Sequence, residues 1–285
     1  MKLIAIDMDG TLLNDQRKVT EENAKAIKFA QQKGIEVVIA TGRDDKEARI
    51  PLTEAGLSCP VISVNGAEIQ TANKKLLQKT SLARTTVKEI TEILKENDVY
   101  YEIYTNQGAF TDDYEAGIQT VIDVLKSAGS TNTYEEMRKI AKERFSNGAV
   151  THIEDYEVLF SNQNNDFYKV LAFSHNDSDR ERARRKLDNM EAIAVSSSAS
   201  ENLEITHKHA QKGVALREYA TLKGILLEDV MVIGDNGNDL SMFEVAGVSV
   251  AMKNAIPKVK EAADEVTLSN DDSGVAIAIM KKIKS

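Results

Sequence analysis

The sequence predicts an α/β protein: a doubly wound parallel-sheet core built from both ends of the chain, with an α+β domain inserted between them. Three observations carry this. The first eighty residues alternate short apolar runs with helical periodicity, the C-terminal third repeats that alternation, and the middle changes to hairpins and longer helices. At 285 residues the chain is about twice the common domain size of roughly 100 to 150. Two domains are therefore expected, a core from residues 1–83 and 207–285 and an insertion over 84–206.

Lys2 to Ile6 is an apolar run, Glu21 to Lys33 has helical spacing, and Ile35 to Ala40 is apolar again, which predicts a β-α-β unit. Thr20 is placed to cap that helix, with Asn23 close behind, and Gly34 to close it. A further strand over Pro60 to Val64 ends in Asn65-Gly66 and brings the chain to the same sheet edge. In the C-terminal third, Gly213 to Lys223 reads as a helix, Asp229 to Ile233 as a buried strand, Leu240 to Val245 as a helix and Val248 to Ala251 as a strand.

Within the insertion, helices are expected over Thr85 to Glu96, Tyr114 to Ser127, Glu135 to Arg144 and Asp179 to Met190. A hairpin is expected from Tyr100 to Thr105 and Gly108 to Thr111, a strand over Tyr168 to Ser174, and a closing strand pair from Ala192 to Ser196 and Leu203 to Thr206. The polar stretch Ser161 to Asp166 reads as a loop.

Composition narrows the function classes. A hydrophobic content of 42% supports a substantial core. There is no run of about 18 or more apolar residues, and the N-terminus opens directly into an apolar strand, so a soluble, unexported, cytoplasmic protein without membrane partners is expected. A formal net charge of -9 argues against a broad nucleic-acid surface, since phosphate backbones are bound through Lys and Arg. Cys59, the single cysteine, cannot form an internal disulfide and reads as a small buried hydrophobe.

The chemistry lies at strand ends. Asp7-Met8-Asp9-Gly10-Thr11 follows the first strand, placing two carboxylates where open α/β sheets hold their ligands. Two such anions need a cation, a shared proton or solvent, and a hard divalent ion with oxygen ligands meets that need. The run taken alone also fits an ordinary turn. Asp235-Asn236-Gly237-Asn238-Asp239 repeats the placement after another buried strand, which two unrelated turns do not explain. Thr41 and Gly42 offer a hydroxyl and backbone N–H groups suited to phosphate, although Thr41 could instead cap the following helix. Lys212, at a helix start, puts an ammonium beside a helix N-terminus; a lone Lys is otherwise usually solvated.

Together these motifs resemble the haloacid dehalogenase-like superfamily of phosphohydrolases: Asp7 to Thr11 as first motif, Thr41 as second, Lys212 as third, and Gly234 to Asp239 as fourth. An insertion between the second and third motifs, Ser197 to Thr206 running into Lys212-Gly213, and Ala251 to Ala255 are similar to the Cof-type sugar-phosphatase branch. The resemblance implies a Rossmann-like core, an α/β cap that selects the substrate, and a phosphatase for small phosphorylated metabolites such as sugar phosphates. It implies Asp7 as nucleophile and Asp9 as general acid and base. It further implies Mg2+ held by Asp7, the backbone carbonyl of Asp9 and Asp235, with Asp239 in support. Thr41, Gly42, Lys212 and Asn238, with the Asn65 region, would hold phosphate. Met8 stands where many relatives carry Leu. A phosphomutase or phosphotransferase, or a silent metabolite-binding regulator, is the alternative.

Other features read as structure. His207 and His209, separated by one residue and without a nearby Cys, make a poor zinc site. Tyr100, Tyr101 and Tyr104 read as hairpin packing, and Arg180 to Lys186 as one solvated helix face. Oligomeric state is not legible.

Overall fold

The computed structural model describes residues 1–127, 129–197 and 201–284. Residues 198–200 of the stretch Ser197 to Thr206 lie outside the described residues. In chain order the first segment runs β1 (Leu3–Asp7), α1 (Glu21–Gln32), β2 (Glu36–Ala40), α2 (Asp45–Glu54), β3 (Val61–Ser63), β4 (Glu68–Gln70) and β5 (Leu76–Lys79). The middle segment holds α3 (Arg84–Glu96), β6 (Tyr100–Thr105), β7 (Gly108–Thr111), α4 (Tyr114–Ser127), α5 (Tyr134–Ser146), β8 (Thr151–His152), α6 (Glu157–Ser161), β9 (Phe167–Phe173), α7 (Asp177–Leu187), β10 (Ile193–Ser196) and β11 (Asn202–His207). The chain closes with α8 (Lys212–Lys223), β12 (Val230–Gly234), α9 (Leu240–Phe243), β13 (Val248–Ala251), α10 (Pro257–Ala262), β14 (Glu265–Val266) and α11 (Gly274–Lys284). Among the described residues no helix is long and apolar enough to cross a membrane.

Two compact units result: Met1–Thr80 with His209–Ser285, and Ser81–Lys208. The first carries an eight-stranded sheet in the order β14-β13-β12-β1-β2-β3-β4-β5. Its strands from β14 to β3 pair in parallel, and β4 and β5 add an antiparallel edge. The central strand β1 is buried along its whole length, with β2 on one side and β12 on the other. That is why Leu3 to Ile6 is continuously apolar, since a parallel strand covered on both faces has no solvent side to alternate toward. Thr20 caps α1 through Asn23 N–H as its sequence position predicts, and Gly34 follows at φ +77.

Several short elements escape sequence reading. Pro51 inside α2 masks a helix, because proline ordinarily breaks the helical ladder. β5 is exposed and lacks an apolar face, and β14 spans two residues. The C-terminal α11 packs beside α1 over a core that includes Ile27, Val275 and Ile279.

The second unit is built on a six-stranded sheet ordered β10-β11-β9-β6-β7-β8. One face of it joins Tyr101, Ile103, Val170, Ala172, Leu203 and Ile205 to α3 and α7 in its own apolar core. On the other face, the fully buried Glu102 accepts from Tyr100 Oη, Tyr104 Oη and both terminal nitrogens of Arg144, tying β6 to α5. Four donors satisfy a carboxylate that burial would otherwise penalise. Tyr101 stacks on Tyr156 at 5.2 Å and Tyr100 on Phe173 at 6.4 Å, so these tyrosines pack the sheet. In the basic run of α7, Arg180 and Arg182 pair with Asp177 and Asp179 one turn earlier.

Candidate active site

β1, β2, β3 and β12 are neighbours running in the same direction, so the loops after them share the carboxyl edge of the sheet. Asp7 is the last residue of β1 and is buried. Its Oδ1 accepts from Lys212 Nζ at 2.5 Å, and the same ammonium donates to Asp239 Oδ1 at 2.7 Å. Lys212 is 1% exposed, so it is not a solvated surface lysine; α8 delivers it into the acidic cluster. The other oxygen of Asp239 accepts from the N–H groups of Asp235 and Asn236, which fixes the loop after β12.

Asp235 is held by Thr11, whose hydroxyl donates to Oδ1 at 2.6 Å. Gly10 lies at φ +76, and a Cβ there would come within 2.6 Å of Asp235 Oδ2. Only glycine lets the first acidic loop turn in the left-handed region this close to the second. Asn254 donates to the Gly10 carbonyl at 2.7 Å and braces the same turn.

Asp9 takes a different direction from Asp7. Its carboxylate is 56% exposed and accepts a two-pronged bond from Arg43, at 2.7 Å from Nε and 2.5 Å from the terminal nitrogen. A cavity of about 530 Å³, lined in part by Asp9, Arg17, Lys18, Arg43 and Glu47, lies beside this pair. Thr41 is buried and accepts from Arg43 N–H at 3.1 Å; the cap of α2 is Asp44, so Thr41 is not spent on capping that helix. Gly42 lies against Asn65, and Asn238 Nδ2 donates to Asn65 Oδ1 at 3.1 Å.

Burial pushes the Asp7 carboxyl well above the usual range, the Asp239 charge adds to this, and Lys212 opposes it. Asp235 is likewise pushed up by burial, against the hydrogen bond from Thr11. Burial alone would lower the Lys212 ammonium, but Asp239 and Asp7 override it and hold it above its ordinary value. Ligand oxygens of Asp7, Asp235 and Asp239 all lie within 4.8 Å of one another. One ammonium cannot balance three clustered carboxylates, and an oxygen-preferring divalent cation such as Mg2+ fits that donor set.

The arrangement therefore brings Asp7, Asp235, Asp239 and Lys212 into direct contact or near contact and sets Asp9, Thr41, Gly42 and Asn238 on the surrounding loops. His207 ends β11 in the second unit, and His209 opens the segment that returns to the first unit ahead of α8. The Arg43 fork on Asp9, the Thr11 bond to Asp235 and the Asn254 brace were not foreseen. Their letters stand inside recognisable motifs, but Thr11 and Asp235 are 224 positions apart and Asn254 and Gly10 are 244 apart, so nothing local pairs them.

A doubly wound core with carboxylates at adjacent strand ends, bridged by a lysine from the start of a helix, is an arrangement suited to a hydrolase acting on phosphate esters. The chain belongs to the haloacid dehalogenase-like hydrolases, whose sequence profile matches residues 4–279. It is a phosphatase, a phosphoric-monoester hydrolase. It is 37% identical over 280 residues to 5-amino-6-(5-phospho-D-ribitylamino)uracil phosphatase YwtE of Bacillus subtilis (strain 168), covering 98% of this chain and 97% of that one. Phosphatase YwpJ of the same organism is 36% identical over 278 residues, covering 97% and 98%. A solved haloacid dehalogenase-like hydrolase from B. subtilis superposes with a TM-score of 0.87 at 35% identity, covering 98% of this chain and 99% of that chain.

Proposed function

We propose that this protein is a cytoplasmic, Mg2+-dependent phosphatase that hydrolyses a small polyhydroxylated phosphate monoester, a sugar or sugar-alcohol phosphate, through an aspartyl-phosphate. The observation that carries the reading is the fully buried Lys212 bridging Asp7 and Asp239 at the edge where Asp235 also lies. Such a costly buried charge cluster serves phosphoryl chemistry better than it serves stability. The relative named for a phosphorylated ribitylaminouracil supports the polyol class.

In this mechanism a carboxylate oxygen of Asp7 attacks phosphorus while the ester P–O bond breaks, and Asp9 gives its proton to the departing alkoxide. Asp9 then takes a proton from water as the water oxygen attacks the aspartyl-phosphate, which frees Asp7 and releases inorganic phosphate. Thr41, the Gly42 backbone, Lys212 and Asn238 hold the non-bridging oxygens. When bound by Asp7, Asp235 and the Asp9 carbonyl, Mg2+ supplies charge compensation for the transferring phosphoryl. The cavity beside Asp9 and Arg43 leaves room for a small leaving group. Residues 84–206 act as the cap that selects the substrate.

Release of phosphate from an aryl phosphate, with and without Mg2+, tests the assignment. Asp7→Asn is expected to lower kcat by at least about a thousandfold while the protein stays folded; undiminished hydrolysis would overturn it. A sugar monophosphate incubated with the enzyme should yield free phosphate without an isomeric product, which separates hydrolysis from mutase action.

A further inference from the structure

Val64, Asn65 and Gly66 occupy the left-handed region in succession, at φ +47, +56 and +102. For Val64 this is a strained conformation, because its branched Cβ crowds the backbone there. Strain that survives in a buried turn points to a demand made by its surroundings. The surroundings are specific. Val64 N–H donates to the Arg43 carbonyl and Asn65 N–H to the Thr41 carbonyl, both at 2.9 Å. A Cβ on Gly66 would stand 2.7 Å from the Gln211 carbonyl carbon, so the turn also abuts the residue that precedes Lys212. Asn65, 4% exposed, lays its carboxamide against Gly42 and accepts from Asn238 Nδ2. One three-residue turn therefore touches all three loops that carry phosphate-holding groups.

We infer that the Val64–Gly66 turn is the template of the phosphate grip and that Asn65 is its positioning residue. The inference deepens the phosphatase reading above and rests on it. By accepting from Asn238 Nδ2, Asn65 fixes which way the Asn238 carboxamide faces, leaving the second hydrogen of that nitrogen for a phosphoryl oxygen. By filling the space over Gly42 it holds the Thr41–Gly42 backbone at a set distance from Asn238. Asn65 acts on the phosphoryl through these neighbours, and the chain accepts the strained geometry to place it.

Asn65→Gly isolates this role, since glycine occupies the left-handed region without penalty and only the carboxamide is lost. The thermal midpoint is expected to stay within about 2 °C of the parent or to rise. The kcat/KM for aryl phosphate hydrolysis should fall about 10- to 100-fold, with weaker inhibition by orthovanadate in the same proportion. In a double-mutant cycle, the loss from Asn65→Gly with Asn238→Ala should be smaller than the two single losses combined, because both variants remove the same Asn65–Asn238 contact while only Asn65→Gly also loosens the Gly42 backbone. Activity within twofold of the parent, fully additive losses, or a midpoint that collapses along with activity would each overturn the inference. Asp7→Asn keeps the two claims apart. If that variant is inactive while Asn65→Gly is unimpaired, the template idea fails alone; if Asp7→Asn remains active, the underlying mechanism fails.

Discussion

Lys212 shows how far a residue's setting can depart from its type. Its side chain is wholly buried, with its ammonium shared between Asp7 and Asp239. Replacing it by Met keeps the volume and removes the charge, so two buried carboxylates lose their cation. Lys212→Met is expected to abolish turnover and to destabilise the metal-free protein by about 3 to 5 kcal/mol, the usual consequence of breaking a buried pair; urea unfolding measures it, and a loss near zero would mean that the cluster relaxes freely. The letters Asp7, Asp9, Asp235, Asp239 and Lys212 were legible as a set. Their division was less so: the sequence treats Asp7 and Asp9 alike, whereas the structure buries one and ties the other to Arg43 at the surface.

At the scale of elements, α8 is fastened to β2 by a small polar network. Tyr219 Oη donates to Glu36 Oε1 at 2.5 Å, and Lys223 pairs with the same oxygen at 2.9 Å. Burial alone would raise the Glu36 carboxyl, but Tyr219 and Lys223 together hold it below its ordinary value. A lowered carboxyl binds its proton more readily in the unfolded chain, so its stabilising contribution is present above the unfolded pKa, about 4.3, and is lost as pH falls through the lower folded value. Glu36→Gln should therefore flatten the pH dependence of the urea midpoint in that acid window and leave its slope near neutrality unchanged. An identical acid profile in both proteins would remove Glu36 from the account. Most elements in this region were legible because periodicity, caps and closing glycines agree, as in α1. The helix α2 was not, because Pro51 contradicts the helical pattern and only the capping bond from Asp44 and packing of Ala48 and Leu52 outweigh it.

The whole molecule consists of two units with separate apolar cores, interleaved along the chain. A ligand that binds only the native form stabilises it by mass action. Mg2+ is expected to slow amide exchange in Leu3–Asp7 and Val230–Gly234, whose ends carry the acidic cluster, while Tyr100–Thr105 and Phe167–Phe173 of the other unit keep their rates; equal slowing in both sheets, or none, would place the ion elsewhere. By itself the sequence determined the type of most longer elements, the strand-end position of each acidic motif and the α/β class, since these depend on periodicity and turn chemistry within a few residues. Only the tertiary structure decided that β1 lies between β2 and β12, that Lys212 is buried between two carboxylates, and that a strained turn at Asn65 reaches three loops. Those outcomes depend on contacts between distant positions, 205 apart for Asp7 and Lys212, where packing and desolvation decide which groups meet.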